Sequence, residues 1–215
     1  MLFVFDWDGT LLDSTAKIVG CMQETIASLG LEPRHDTAVK EIIGLGMAEA
    51  IKQLFPDISD SDLQRFRLIY SDLYRQADRQ PCPFYAGVRS TLDALRQSGH
   101  ALAVATGKSR QGLNRVLGNL AMGDFFDATR CADETRSKPH PQMLEELMTQ
   151  LGFGSEQAVM VGDTSFDLDM ARNARIAGIG VSYGAHTVER LRRSSPVRII
   201  DHFKELLDYR HVCES

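Results

Sequence analysis

Short runs of consecutive apolar residues mark the strands that we predict for the centre of this protein. The runs occupy residues 2–5, 101–105 and 158–161, and none of them contains a polar residue. This pattern is typical of strands that are covered on both faces in a parallel sheet. After the second and third runs, apolar residues recur at three- and four-residue spacing, which predicts amphipathic helices. These predicted helices cover residues 109–120, 141–151 and 165–174.

The same alternation of strand and helix continues toward the end of the chain. Two further strands are predicted at residues 176–181 and 197–200, and a helix is predicted at 203–209. Strands that alternate with helices along a chain are typical of a parallel sheet with helices on both faces. We therefore predict the α/β fold class, with a doubly wound parallel sheet as the core.

One spacing is too long for this pattern and indicates an inserted domain. The first run ends at residue 5 and the next begins at 101, whereas a strand–helix–strand unit needs roughly 30 residues. The intervening segment has two helical stripes of apolar residues, which are Ile18, Met22, Ile26 and Leu29, then Leu63, Phe66, Tyr70 and Leu73. We predict a four-helix cap domain at 15–80, set into an α/β core domain formed by 1–14 and 81–215.

Composition and charge narrow the range of functions. The 215 residues are 43% hydrophobic and 25% charged, which excludes disorder, collagen and coiled coil as descriptions of the whole chain. With 24 basic and 29 acidic residues, the net charge is 24 − 29 = −5. This charge does not favour nucleic-acid binding, but a local cation could still attract an anionic substrate.

Other features of the composition predict an ordinary intracellular protein. The four cysteines are scattered, so we expect small core residues or inert thiols: Cys21, Cys82, Cys131 and Cys213. The acidic residues Asp6 and Asp8 end the N-terminal apolar run after only a few residues, which argues against a signal peptide. No apolar stretch approaches 18 residues, so we expect no membrane span. We expect a cytoplasmic protein that is a monomer or a weak homodimer.

Acidic and hydroxyl side chains follow the predicted strands directly. Asp6 and Asp8 come after the first strand, Thr106 after the second, and Asp163 after the third. Ligands of open α/β sheets bind at the carboxyl ends of the strands. Three carboxylates at one sheet edge would repel one another unless a cation neutralised them. Because Mg²⁺ prefers oxygen ligands and often shares them with a phosphate, we predict a Mg²⁺ site for a phosphorylated substrate.

Four short motifs in this chain resemble those of the haloacid dehalogenase-like hydrolase superfamily. In chain order they are DWDGTLLDS, VATGKS, SKPHP and VGDTSFD. The insertion after the first strand resembles the helical cap of the phosphoglycolate phosphatase-like branch. The resemblance covers nearly the whole chain, and the four motifs together, in this order, are far more specific than any one of them.

The resemblance implies a catalytic role for two aspartates and a metal site around them. Asp6 would be the nucleophile that attacks phosphorus and becomes an aspartyl-phosphate. Asp8 would protonate the leaving alcohol and then activate water. The implied Mg²⁺ ligands are Asp6, the backbone carbonyl of Asp8, and Asp163, with Asp167 supporting the metal site directly or through water.

The resemblance also implies which residues bind the phosphate. Thr106 and the backbone amide of Gly107 would hold phosphate oxygens, and Lys138 would neutralise the phosphate and steady Asp6. Gly9 would let the backbone turn tightly beneath the phosphoryl group. The basic residues Arg190, Arg192 and Arg193 are instead predicted to form a solvated helix face.

Three functions are compatible with the sequence. The first is a Mg²⁺-dependent phosphatase acting on a small phosphorylated metabolite, with phosphoglycolate suggested first by the resemblance. A β-phosphoglucomutase-type phosphomutase shares all four motifs, and a non-catalytic regulatory protein could use the same fold. The turn at residues 44–47 is either a loop that contacts the leaving group or a simple turn between helices.

Overall fold

A computed structural model describes residues 1–209 and contains a six-stranded parallel sheet. The strands are β1 (Leu2–Phe5), β2 (Ala101–Thr106), β3 (Ala128–Cys131), β4 (Ala158–Gly162), β5 (Ala177–Val181) and β6 (Arg198–Ile200). Their spatial order is β3-β2-β1-β4-β5-β6, and every neighbouring pair is parallel. This is the strand order of a doubly wound nucleotide-binding sheet, and the predicted α/β fold class is confirmed.

Helices cover the sheet on both faces and also form the long insertion. In chain order the helices of the described residues are α1 (Thr15–Ser28), α2 (Asp36–Lys40), α3 (Met47–Leu54), α4 (Asp60–Ala77), α5 (Val88–Gln97), α6 (Arg110–Asn119), α7 (Gln142–Leu151), α8 (Ser165–Asn173) and α9 (Val188–Arg193). Short 3₁₀ turns occupy Ser155–Gln157 and Phe203–Asp208. The last of these replaces the α-helix predicted at 203–209.

The central strand β1 shows why the sheet needs helices on both faces. Its side chains alternate between two separate apolar cores. Phe3 and Phe5 belong to the core that includes residues of α5 and α6, whereas Leu2 and Val4 belong to the core that includes residues of α7 and α8. All four side chains are buried, so the strand has the continuous apolar sequence expected of a fully covered position.

Two elements of the fold were not predicted from the sequence. Strand β3 lies at an edge of the sheet, and its middle residues Thr129 and Arg130 are half-buried, so it lacks a continuous apolar run. Helix α5 buries Val88, Leu92 and Leu95, and its buried stripe also includes the polar Thr91.

The four helices α1 to α4 separate β1 from the rest of the sheet in sequence and surround an apolar cluster of their own. This cluster includes Ile26 of α1, Ile51 of α3 and Phe66 of α4, all of which are buried. We refer to residues 15–80 as the insertion. It lies over the carboxyl edge of the sheet, because the chain leaves β1 at that edge.

The described residues also bear on the cysteines and on membrane association. Cys21, Cys82 and Cys131 are free thiols, and Cys213 lies outside the described residues. Among residues 1–209, no helix is both long enough and apolar enough to cross a bilayer.

Candidate functional site

The parallel sheet brings the ends of β1 and β4 together and places two aspartates side by side. Phe5 is in register with Val161, so Asp6 follows β1 next to the point where Gly162 and Asp163 follow β4. Asp167 comes from the first turn of α8, which begins immediately after this strand end. All three aspartates are buried. Carboxylate oxygens of the three lie within 4.8 Å of one another.

Lys138 supplies a buried positive charge to this cluster. Its Nζ lies 2.7 Å from Oδ1 of Asp6 and 2.6 Å from Oδ1 of Asp167. The side chain is fully enclosed, with 2% of the residue exposed. One ammonium group therefore faces three carboxylates, which leaves an excess of negative charge in a site from which water is largely excluded.

Asp163 and Asp167 are held firmly by neighbouring donors. Thr10 Oγ1 donates to Oδ1 of Asp163 at 2.6 Å, and the amide of Ala185 donates to Oδ2 at 2.8 Å. Both the amide and the hydroxyl of Thr164 donate to Oδ2 of Asp167, at 3.0 and 2.7 Å. The hydrogen bonds between Thr164 and Asp167 also cap the start of α8.

Gly9 allows the backbone to approach Asp163 closely. Its φ is +81°, a value that favours glycine. A Cβ at this position would collide with the Asp163 carboxylate. The turn after β1 therefore lies directly against the metal-binding candidates, as the glycine in the DWDGT motif requires.

Asp6 differs from its two neighbours because its carboxylate is left open. The contact to Lys138 is an ion pair without hydrogen-bond angles, and neither oxygen of Asp6 accepts a hydrogen bond from the residues that the structure describes. An unsatisfied buried carboxylate is costly in a folded protein. The position of Asp6 therefore indicates a group that is reserved for a ligand.

The electrostatics of the cluster favour a bound cation. Burial raises the pKa of Asp6 well above its usual range, although Lys138 opposes this shift and the neighbouring carboxylates reinforce it. Burial and the charge of Asp167 raise the pKa of Asp163 to about 7. Burial alone would lower the pKa of Lys138, but the charges of Asp167 and Asp6 raise it, so its ammonium form is stabilised.

The donor set fits a hard divalent cation such as Mg²⁺. The available atoms are carboxylate oxygens, they converge in a buried site, and Asp6 has oxygens without hydrogen bonds. Mg²⁺ is usually bound by one or two carboxylates, with waters and substrate phosphate completing its octahedron. A thiol or imidazole group, which would favour a softer metal, does not belong to the cluster among residues 1–209.

Asp8 is also close to the sheet edge, but its carboxylate lies outside the metal-ligand cluster. Ser14 Oγ donates to Oδ1 of Asp8 at 2.6 Å, and Lys108 Nζ lies 2.9 Å from Oδ2. The ligand predicted at this position is the backbone carbonyl of Asp8, and that assignment stays a prediction.

Lys108 is a site residue that the sequence reasoning missed. Its Nζ donates to Tyr74 Oη at 3.2 Å and lies 4.6 Å from the centre of the Tyr74 ring, within the range of a cation–π contact. The sequence signal was its position in VATGKS, directly after the predicted phosphate-binding residues Thr106 and Gly107. Its partners, however, come from the turn after β1 and from α4, which are distant in sequence.

The predicted phosphate-binding residues Thr106 and Gly107 lie where β2 meets the insertion. Thr106 is fully buried, and its Oγ1 accepts a hydrogen bond from the Lys108 amide at 3.2 Å. A Cβ on Gly107 would be 2.6 Å from the carbonyl oxygens of Gly44 and Leu45. The turn at residues 44–47 therefore packs against the sheet edge at Gly107, where the Cβ of any other residue would collide with the turn.

Two further contacts fasten the insertion to the core. The amide of Gly46 donates to Ser137 Oγ at 2.8 Å. Glu41 forms an ion pair with Arg190, which also donates to Ser165 Oγ at 3.1 Å. The prediction of a solvated helix face is therefore wrong for Arg190, whose side chain turns toward the insertion, whereas Arg192 and Arg193 are exposed as predicted. In this structure the insertion is seated on the core.

A cavity of about 410 Å³ remains between the insertion and the sheet edge. Asp6, Asp8, Gly107 and Lys108 line its inner end. The remaining lining comes from α1, α3, α4 and α6 and from the turn at residues 42–45. Asp6 therefore faces a space that could hold a small molecule.

The fold and the site define a doubly wound α/β enzyme with a buried carboxylate–lysine site under a helical insertion. A family model described as haloacid dehalogenase-like hydrolase matches residues 3–181. The chain belongs to this family of hydrolases, which confirms the resemblance carried by the four motifs.

Full-length relatives and solved structures agree with this assignment. IndB of Dickeya dadantii (strain 3937), named a probable phosphatase, is 32% identical over 98% of this chain and 94% of its own length. A phosphoglycolate phosphatase of Vibrio vulnificus (strain YJ016) is 30% identical over 96% of this chain and 94% of its own. A crystal structure from Bacteroides fragilis, named as a haloacid dehalogenase-like hydrolase, superposes with a TM-score of 0.88 at 26% identity. That match covers 95% of this chain and 98% of the other.

Proposed function

We propose that this hydrolase is a Mg²⁺-dependent phosphatase that cleaves a small phosphomonoester through a phosphorylated Asp6. The observation that carries the proposal is the open carboxylate of Asp6, which lines the cavity and is paired with Lys138. A buried carboxylate without hydrogen bonds is free to attack phosphorus. The names of the similar proteins, which include a phosphoglycolate phosphatase, support the same reaction class.

The reaction divides into two displacements at phosphorus. In the first, a carboxylate oxygen of Asp6 forms a bond to phosphorus, the ester P–O bond breaks, and the leaving alcohol takes a proton from Asp8. In the second, a water molecule gives a proton to Asp8 and attacks the same phosphorus, and the bond between phosphorus and the Asp6 oxygen breaks. Inorganic phosphate leaves, and Asp6 and protonated Asp8 are restored.

Asp8 suits the proton-transfer role because it lines the cavity beside Asp6 but belongs to a different set of contacts. Ser14 and Lys108 each engage one of its oxygens, so its orientation is fixed. A positioned acid–base group of this kind contributes typically 10²–10⁴-fold to the rate.

The phosphoryl group would be held by residues at three loop ends. We assign the Thr106 hydroxyl, the Gly107 amide and the Lys138 ammonium to its oxygens. Gly9 provides the tight turn beneath the phosphoryl group. Fixed donors and charges of this kind stabilise the charge that spreads over the phosphoryl oxygens in the transition state.

Mg²⁺ would be held by Asp6, Asp163 and the backbone carbonyl of Asp8, with Asp167 in support. When bound, it supplies positive charge that neutralises the phosphate and the surplus carboxylates. Asp167 already shares its two oxygens between Lys138 and Thr164, so we assign it chiefly to holding Lys138 and the start of α8 in place.

We further propose that residues 15–80 act as a cap domain over a core of 1–14 and 81–215. The contacts of Gly107, Gly46 and Arg190 describe its closed position. A closed cap excludes bulk water from the phosphorylated intermediate. Opening and closing would require bending near residues 13–15 and 80–83.

The direct experiment measures release of inorganic phosphate by purified protein with Mg²⁺ present. The substrates are p-nitrophenyl phosphate and a panel of phosphorylated metabolites that includes phosphoglycolate. Phosphate release from one or more of them supports the proposal. Formation of a positional isomer of a sugar phosphate without phosphate release would indicate a phosphomutase instead. No turnover of any substrate would contradict both enzymatic assignments.

A further inference from the structure

We propose that the substrate is a phosphomonoester with an alcohol portion much longer than glycolate and a second anionic group that binds Arg67. This inference rests on the proposed function for the position of the phosphate, and it adds the class of leaving group. It follows from the size of the cavity, the direction in which helix α4 lines it, and the charges along its wall.

The cavity keeps a large volume when the insertion is seated on the core. The contact between Gly107 and the carbonyls of Gly44 and Leu45 leaves no room for further closure at that point. The cavity of about 410 Å³ is therefore present in the closed arrangement. Pockets of roughly 300–1,000 Å³ are typical of drug-sized ligands, which is far more than a two-carbon acid needs beside its phosphate.

The residues of helix α4 that line the cavity indicate how far it extends from the reacting end. Tyr74, Tyr70 and Arg67 all line the cavity and lie four and seven residues apart, so they share one face of the helix. With a rise of 1.5 Å per residue, Arg67 lies about 10 Å along the axis from Tyr74. Tyr74 marks the reacting end, because its hydroxyl contacts Lys108, which is paired with Asp8.

The cations on the cavity wall differ in whether a carboxylate of the protein already neutralises them. Lys108 is neutralised by Asp8 at 2.9 Å, and Arg115 by Asp78 at 2.9 Å. Arg67 also lines the cavity, but none of the ion pairs or hydrogen bonds among residues 1–209 involves it. Its guanidinium group is therefore the cavity-lining cation that is left to bind an anion of the substrate.

The cavity wall between the reacting end and Arg67 is mainly apolar. The turn before α3 and the facing helix α1 contribute mainly apolar side chains, which are Ile18, Met22, Ile42, Ile43 and Leu45. On the α4 side, the Tyr70 hydroxyl makes no hydrogen bond with any residue of the described chain, so it is free to bind the substrate. This lining fits an apolar or flat spacer with a polar edge.

The carboxylate of phosphoglycolate is separated from the ester oxygen by a single carbon, so we expect it to stay near Tyr74 and not to reach Arg67, which lies about 10 Å further along α4. The geometry therefore disfavours phosphoglycolate as the best substrate, although several similar proteins are named phosphoglycolate phosphatase. A longer acid would place its phosphate at Asp6 and its second anion at Arg67 at the same time.

The test measures binding and turnover in parallel with a matched series of ligands. Calorimetry with Mg²⁺ present compares ω-carboxyalkyl phosphonates, from the glycolate length up to a length that spans about 10 Å, with their neutral methyl esters. The corresponding phosphate esters are assayed for phosphate release. We expect the long acid to bind at least about tenfold tighter than both the short acid and its own methyl ester.

Variants on α4 identify the residue responsible. Arg67→Ala should remove about tenfold of the preference for the long acid over its ester, and Arg67→Lys should retain part of it. The matched control is Arg65→Ala, because Arg65 pairs with Asp62 on the exposed side and does not line the cavity. This control should leave the preference unchanged.

The two proposals fail in different ways. If the short acid binds as well as the long one, or if Arg67→Ala leaves the preference intact, the inference about the substrate is wrong even when phosphate is released. If the long phosphonate shows the expected preference but no ester is hydrolysed, the binding inference stands and the proposed phosphatase activity is wrong.

Discussion

The ammonium group of Lys108 lies 2.9 Å from Oδ2 of Asp8, inside the contact between the insertion and the sheet edge. The same group donates to Tyr74 Oη of helix α4 at 3.2 Å. Burial alone would lower the pKa of Lys108, but the charge of Asp8 raises it, so the ammonium form is retained. A residue of the insertion is thus linked through one side chain to the group that we assign to proton transfer.

Replacing Lys108 should therefore impair catalysis through the orientation of Asp8. We expect Lys108→Met to lower kcat by about tenfold to a hundredfold, because small displacements of a reacting group have effects of this size. Lys52→Met, at an exposed position on α3, is the matched control. A kcat of Lys108→Met equal to that of the wild type would show that Lys108 is not needed to position Asp8.

Gly107 should be essential for seating the insertion. A methyl group at this position would lie 2.6 Å from the carbonyl oxygens of Gly44 and Leu45, which is closer than packed atoms allow. We expect Gly107→Ala to lower kcat/KM and to increase proteolytic cleavage near residues 13–15 and 80–83, because the insertion can no longer close.

Gly118→Ala is a matched control for this substitution. Gly118 lies in α6. A Cβ added there would have no atom within 4 Å, apart from its chain neighbours and the backbone of its own helix. Alanine is favoured over glycine in a helix by up to about 1 kcal/mol, so this variant should be slightly more stable and fully active. If Gly107→Ala behaves in the same way, the contact is not needed for activity.

Removal of divalent metal should abolish activity, and added Mg²⁺ should restore it. The physical reason is the surplus of buried carboxylate over ammonium charge around Asp163. Asp163→Asn should raise the Mg²⁺ concentration that gives half-maximal activity by at least about tenfold. Asp169→Asn, on the partly exposed side of α8, should leave it unchanged. Activity that is indifferent to EDTA would contradict the metal assignment.

Lys138 should contribute to stability as well as to catalysis. Lys138→Met leaves Asp6 and Asp167 buried without their ammonium partner, and loss of one member of a buried ion pair typically costs about 3–5 kcal/mol. Urea denaturation should show this loss in the free energy of unfolding, and Mg²⁺ should recover part of it. Lys204→Met, at an exposed position, is the control. A variant as stable as the wild type would show that the charges of the cluster are neutralised in another way.

The strand ends of this protein were predictable because they follow from the local pattern. A buried parallel strand is a continuous apolar run, so the positions of Asp6 and Asp163 at the sheet edge could be inferred before the fold was known. Lys138 and Asp167 required the family resemblance, since no periodicity marks them. The structure brings these four residues together at the sheet edge.

The remaining features depend on contacts between segments that are distant in sequence. Lys108 acquires its role from Asp8 and Tyr74, which lie on different elements. Thr10 is noticed only when Asp163 is placed beside it. Arg190 was assigned to solvent because its neighbours in sequence are basic, whereas its partner is Glu41 of the insertion. Such pairs are decided by how the insertion packs on the core.

The most direct test of the proposed function is to identify the phosphorylated residue during turnover. The protein with Mg²⁺ and a substrate that it hydrolyses is quenched in acid within the first turnovers, and its peptides are analysed by mass spectrometry. With p-nitrophenyl phosphate, whose leaving group needs little protonation, Asp8→Asn should slow attack by water more than phosphoryl transfer to Asp6 and so increase the amount of intermediate. Asp6→Asn should remain folded but inactive, whereas Asp169→Asn should be active.

We predict the mass of one phosphoryl group on Asp6, present in the quenched wild-type and Asp8→Asn proteins and absent from Asp6→Asn. Phosphate on any other residue, or release of phosphate by Asp6→Asn at the wild-type rate, would contradict the assignment of Asp6 as the nucleophile.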